Sequence, residues 1–308
     1  MRKVLGMLAI SGLLLAACAE DDPTVGPTGG DGETIETGAT GATAPATAAD
    51  CAAANESAFL TAGTLTVGTG NPAFPPWWEG GSQESEFELN DPANGEGYEG
   101  AVVAEVATRL GFTFPDDVTF VPVGFNKSFA PGDKPFDFVL QQISYLPERD
   151  EAVDFSESYY DVDQAVVSAE GTAIADATTI DELKDAVLGA PIGTTSLQVI
   201  EDVIQPNEEP QVYDDLAGAV QDLKNGAIDG VVADLPTAFF IAAVEIPKGV
   251  VVGQFQAESD EYFAMAFETG SPLVECVDLA LQEMKADGTL DAIEQEWLAD
   301  ATNAPVLG

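Results

Sequence analysis

The stretch LGAPIGTTSLQVIEDVI (188–204) changes character at its centre. Leu188 to Ile192 is short and apolar, as a buried strand is. GTTS (193–196) supplies a turn and a hydroxyl cap, and Leu197, Ile200 and Ile204 then recur at helical spacing. The same order is repeated on both sides. TLTVGTG (64–70) is a β-rich run ending in glycine, and Val102, Val103, Val106 and Leu110 predict a helix over 101–110 that Gly111 stops. FDFVL (136–140) and QAVVSA (164–169) read as buried strands, and Thr179 with Glu182 forms a capping box before a helix at Leu183. Asp214 opens a helix carrying Leu216, Val220 and Leu223, which Gly226 closes before the strand IDGVVAD (228–234). Ser271-Pro272 begins a helix bearing Leu273, Val277, Ala280, Leu281 and Met284, stopped at Gly288, and a last helix carries Ile293 and Trp297. Such alternation predicts α/β layers with largely parallel sheets.

The 308 residues suffice for one large domain or two modest ones. Lys and Arg number 10 against 54 Asp and Glu, a net charge of −44, so phosphate backbones and anionic lipid surfaces are poor partners. An apolar content of 45% excludes general disorder. With no His in the chain, Ser-His-Asp and Cys-His nucleophiles and His-bearing zinc sites are excluded.

Residues 1–18 read as an export signal: Arg2 and Lys3 precede an apolar run from Val4 to Ala17 that is shorter than the about 20 residues a spanning helix needs. The run ends in Leu15-Ala16-Ala17-Cys18, which resembles a bacterial lipoprotein box. Cleavage before Cys18 and acylation of its thiol are what that resemblance implies, with an ordinary cleaved signal as the alternative. The mature protein is then expected at the cell membrane on its extracellular or periplasmic face, held by lipid alone. Residues 19–50, rich in Gly, Thr, Ala, Pro and acids, read as a flexible linker of roughly 30 Å. The acidity lies beyond it, for residues 51–308 hold 47 acids and 8 bases, as a protein of saline surroundings would. With Cys18 lipidated, Cys51 and Cys276 remain as an even pair in an oxidising compartment, expected as a disulfide, with two buried thiols as the alternative.

Ligands of open α/β sheets bind beyond the carboxyl ends of the strands. There the chain places NPAFPPWW (71–78) with Phe74, Trp77 and Trp78, then QQIS followed by Arg149, then GTTS at a helix start, then Asp234. Each has a bland reading: a surface salt bridge for Arg149, a turn cap for Asp234, an N-cap for GTTS, core packing for the aromatics. Together they suit a zwitterion, with its carboxylate on Arg149 and the helix start, its ammonium on Asp234 and its side chain against the rings.

These residues also carry a family pattern. GTLTVGT (63–69), SYLPERDEAVDFSESYY (144–160), GAPIGTTS (189–196), LKNGAIDGVVAD (223–234) and LQEMKADGTLDAIEQEWL (281–298) resemble the extracellular solute-binding proteins of family 3, the polar-amino-acid receptors of ABC importers, over about residues 60–300. The resemblance implies a periplasmic-binding-protein-like fold of type II: two α/β lobes joined by two hinge strands, with lobe 1 at 51–158 plus 254–308 and lobe 2 at 159–253. It implies a monomer that captures a free amino acid and delivers it to a membrane permease, without catalysis, cofactor or metal. It assigns the α-carboxylate to Arg149 and Thr195, the α-ammonium to Asp234, and further ligand contacts to Phe74, Trp77, Gln142, Ser144 and Thr194. Gln141 and Gln142 depart from the small residues usual there.

The net charge disfavours an acidic ligand and points to a neutral polar or cationic amino acid, with Lys127 expected as a solvated surface residue. An enzyme on the same scaffold, acting on a small carboxylic acid in the manner of a dehydratase, would need a pocket carboxylate such as Glu79 or Glu99, both expected to be solvated. An acidic calcium-binding surface protein is the third reading, but the EF-hand spacing is absent.

Overall fold

Runs buried at nearly every position, such as LTVGT and GVVAD, have to lie in the middle of a sheet covered on both faces. The computed structural model describes residues 47–82, 85–255, 261–299 and 304–308. Its strands are β1 (Leu65–Thr69), β2 (Val118–Pro122), β3 (Phe138–Val139), β4 (Asp154–Asp161), β5 (Gln164–Ala169), β6 (Leu188–Pro191), β7 (Gln211–Tyr213), β8 (Gly230–Asp234), β9 (Gly249–Phe255) and β10 (Tyr262–Phe267). They form two five-stranded sheets, ordered β2-β1-β3-β10-β4 and β7-β6-β8-β5-β9. The export signal, Cys18 and most of the expected linker lie outside the described residues.

The two sheets have one plan. In the first, β1 runs parallel to β2 and β3, while β10 runs antiparallel to β3 and β4. In the second, β6 is parallel to β7 and β8, while β5 is antiparallel to β8 and β9. The expectation of largely parallel sheets therefore holds for three strands in each. The antiparallel strands β5 and β10 are those that enter from the other sheet and so run against their new neighbours.

The chain crosses between lobes twice, after β4 at Val162-Asp163 and between Phe255 and Glu261. Residues 304–308 differ from the expected assignment to lobe 1. Val306 pairs with Gln254, the Leu307 N–H donates to the Gln254 carbonyl at 3.0 Å, and the buried Leu307 side chain joins Val252 and Phe255 in the second lobe's core. An apolar side chain near the end of the chain goes where a groove buries it.

The expected linker also ends early. A helix at Ala48–Ala54 begins inside it, with the Thr47 hydroxyl capping the Asp50 N–H. Alanine and cysteine carry its buried face, so no stripe of large apolar residues announced it. Cys51 on this helix forms a disulfide with Cys276 on the helix Leu273–Asp287, across 225 residues of chain. The helix expected at Asp214 is capped instead by Asp215, whose carboxylate accepts the Gly218 N–H. The Thr179–Glu182 capping box is present, but it starts only a single 3-10 turn at Ile180–Leu183.

Candidate functional site

A cavity of about 300 Å³ lies between the lobes. From the first lobe it is lined by Phe74, Trp77, Phe125, Gln141 and Gln142, among others. The second lobe brings Gln164, Thr194, Thr195, Asp214, Asp215 and Asp234. Of the expected ligand residues, Phe74, Trp77, Gln142, Thr194, Thr195 and Asp234 line it, while Ser144 and Arg149 stand beside it. Lys127 is exposed and outside the lining.

Trp77 is fully buried. Tyr98, Tyr160 and Phe263 surround its ring edge-on at 5.5–5.8 Å. Gly97 closes the same turn at φ +87°, where an added Cβ would lie 2.5 Å from the Trp77 carbonyl. The indole N–H, its one donor, reaches the Thr237 hydroxyl of the second lobe at 2.8 Å. Trp78 is also buried, against Phe120.

Asp234 ends β8 and caps the helix Leu235–Phe240, accepting the Thr237 N–H at 2.9 Å. The capping and cavity-lining readings therefore hold at once. Burial pushes its carboxyl up to about 6, helped by the charge of Glu261 and opposed by the bond from Thr237. Thr194 caps the Leu197 N–H, and Thr195 directs its hydroxyl to within 3.3 Å of both Ser144 Oγ and Gln164 Nε2.

Arg149 sits in a short helix, Pro147–Asp150, and is 6% exposed. Its guanidinium lies over the Phe129 ring at 4.3 Å and donates from Nη1 to the Ser144 carbonyl at 2.6 Å. From Nη2 it donates to the Gly193 carbonyl of the other lobe at 2.8 Å. Gly193 presents that carbonyl at φ +79°, and an added Cβ would meet Asn126 Oδ1 at 2.5 Å. Burial lowers the Arg149 pKa to about 10, and Glu261 and Glu148 work against that.

Both glutamines line the cavity, but their amide nitrogens bond to groups within the first lobe. Gln141 Nε2 donates to the Val123 carbonyl and the Ser128 hydroxyl. Gln142, at φ +54°, donates its backbone N–H to Glu99 Oε1 at 2.8 Å and its Nε2 to Glu99 Oε2 at 2.6 Å. Tyr159 adds its hydroxyl to Glu99 at 2.6 Å. The expectation that Glu99 is solvated is corrected: it is fully buried beneath the cavity floor, and desolvation lifts its carboxyl to about 7 against those three donors. Glu79 is half-buried and does not line the cavity.

Sequence reasoning missed Gln164, Asp214, Asp215, Thr237 and Glu261. Asp214 and Asp215 directly follow β7, so the search beyond strand ends could have found them. Gln164 and Glu261 stand at the two lobe crossings, which no local pattern marks. The cavity lining holds three Asp and, among the described residues, no Lys or Arg. No cluster of three or more metal-ligating side chains occurs among the described residues, and no helix there is long and apolar enough to cross a membrane.

The family model of the bacterial extracellular solute-binding proteins, family 3, matches residues 79–300. The L-cystine-binding protein TcyJ of Escherichia coli (strain K12) is 29% identical over 246 residues, 78% of this chain and 85% of that protein. An ancestral arginine-binding protein bound to glutamine is 30% identical with a TM-score of 0.63, over 77% of this chain and 98% of that one. The ancestral amino acid-binding protein AncCDT-1, a precursor of cyclohexadienyl dehydratase, is 26% identical with a TM-score of 0.61, over 76% and 95%.

Proposed function

The chain belongs to the bacterial extracellular solute-binding proteins of family 3, and on that footing we propose that it captures a free amino acid, cationic or neutral polar, between its lobes. It then delivers the ligand to the permease of an ABC importer, acting as a monomer tethered through a lipid on Cys18. The observation that carries the reading is one cavity to which the first lobe brings Phe74 and Trp77 and the second brings Thr195 and Asp234, with Arg149 beside it.

A zwitterion cannot be buried without partners, so its two ends need opposite charges at once. Arg149 supplies a planar fork for the carboxylate, with the Ser144 and Thr195 hydroxyls beside it. Asp234 takes the ammonium, whose charge favours the ionised carboxylate. Gln142 is held by Glu99 through its backbone N–H and its Nε2, and its side-chain oxygen is an acceptor that also suits an ammonium. The three lining aspartates favour a cationic side chain over an acidic one.

Titration calorimetry with L-arginine, L-lysine, L-histidine, L-glutamine, L-cystine and L-glutamate tests the reading. Saturable binding of at least one of the first five, lost in Arg149→Ala, is the expected result. Failure of all six to bind would remove it.

The likeness to AncCDT-1, a precursor of cyclohexadienyl dehydratase, favours the dehydratase alternative. Against it, both oxygens of Glu99 are hydrogen-bonded and Glu79 lies off the cavity. A bound ligand recovered chemically unchanged after prolonged incubation is expected of a receptor.

A further inference from the structure

Glu261 carries a carboxylate into the place that the proposed function reserves for the ligand's own. Its backbone is pinned where the two crossings meet, its carbonyl accepting the Val162 N–H at 3.0 Å. Its side chain reaches back between the lobes. Oε1 accepts from the Ser144 hydroxyl of the first lobe at 2.6 Å. The Gln164 amide of the second lobe stands 3.3 Å from Oε1 and 3.5 Å from Oε2. Thr195 Oγ1 lies 3.3 Å from both of those donors. The charge of Glu261 is also felt at Arg149, whose protonated form it supports, and at Asp234, whose ionisation it opposes. One carboxylate thus draws on a hydroxyl of one lobe and an amide of the other, as an amino acid's carboxylate would.

We propose that Glu261 is an internal stand-in for the ligand's carboxylate: it holds the Ser144 and Gln164 donors, and a ligand binds by displacing it. Ser144 has a single O–H to give, and a second carboxylate set beside the first would meet a like charge. The two carboxylates therefore compete for one place. Glu261 then tunes specificity, because a ligand without a carboxylate cannot take over its partners, and it weakens binding of every ligand that can. The inference rests on the amino-acid reading only for the identity of the displacing group.

The test uses the full chain and two variants, Glu261→Ala and Glu261→Gln, the second keeping the shape and one acceptor for Ser144. In the first arm, sodium acetate is compared with sodium chloride at equal ionic strength by thermal denaturation. The vacated place in Glu261→Ala should take acetate, raising its Tm by about 2 °C or more while leaving wild type unchanged; equal responses would overturn the proposal. In the second arm, L-arginine is titrated into all three proteins. Affinity at least threefold tighter in Glu261→Ala, with Glu261→Gln between, is expected. An unchanged affinity, or a tenfold loss in either variant, would make Glu261 a bystander or a ligand contact and overturn it. If no protein binds L-arginine yet acetate acts as described, the amino-acid reading fails and the role of Glu261 stands. If Glu261→Ala does not fold, Glu261→Gln carries both arms, with smaller shifts of the same sign expected and their absence decisive against it.

Discussion

The Trp77 indole N–H donates to the Thr237 hydroxyl at 2.8 Å, and the backbone N–H of that same threonine donates to the capping carboxylate of Asp234 at 2.9 Å. One residue of the second lobe therefore ties the aromatic wall of the cavity to its buried carboxylate. Both Trp77 and Thr237 are buried, so neither partner can fall back on water.

Trp77→Phe should cost about 1 kcal/mol in urea denaturation, because it removes a hydrogen bond between two buried side chains. Thr237→Val should cost less in that background than in the wild type. Strictly additive effects of the two substitutions would show that the bond does not hold in solution.

Arg149→Ala should lower amino-acid affinity by about 2–5 kcal/mol, roughly thirtyfold to several thousandfold, by leaving the ligand carboxylate buried beside no cation. The fold should persist, since far-UV circular dichroism reads lobes whose cores do not include Arg149. Calorimetry at unchanged affinity would refute the assignment.

Two carboxyl groups are raised by burial, Asp234 from 3.8 to about 6 and Glu99 from 4.5 to about 7. Between the unfolded and folded values the folded state binds more protons, so the unliganded protein should lose stability as pH climbs from about 4 to about 7. Asp234→Asn should remove the lower part of that slope and Glu99→Gln the upper part, as read by denaturation across pH. Ligand affinity should run the other way and fall below about pH 6, where Asp234 takes up the proton that an ammonium needs absent.

Replacing Cys51 and Cys276 by Ser should destabilise the protein by up to about 5 kcal/mol, since the bond closes 225 residues of chain. Urea midpoints with and without reductant should separate for the wild type and coincide for the variant.

With 47 acids and 8 bases in residues 51–308, self-repulsion is heavy and screenable. Tm should rise as NaCl is taken from about 0.1 M to about 2 M. A flat or falling curve would detach the acidity from a saline setting.

Much of this was legible locally. The strand-turn-helix of 188–204, the cap at Thr179 and Glu182 and the helix stops at Gly226 and Gly288 are short-range effects of period and φ, and all are present. Phe74, Trp77, Thr194, Thr195 and Asp234 were found because each follows a strand end, where an α/β sheet opens its crevice. Glu99 was misjudged because nothing in an acidic sequence distinguishes the carboxylate that three donors will bury from the many that water will keep.

What the sequence alone determined is the set of local units, their α/β alternation and the residue types that a zwitterion requires. Tertiary structure decided which strands turn antiparallel, where the last five residues dock, which glutamine amides bond inside the protein, and that Glu261 reaches Ser144 and Gln164. The inter-lobe outcomes among them depend on contacts across more than a hundred residues, such as Ser144 with Glu261 and Trp77 with Thr237. Contacts of that reach are set by how two lobes pack, and no periodicity within either partner's own segment encodes them.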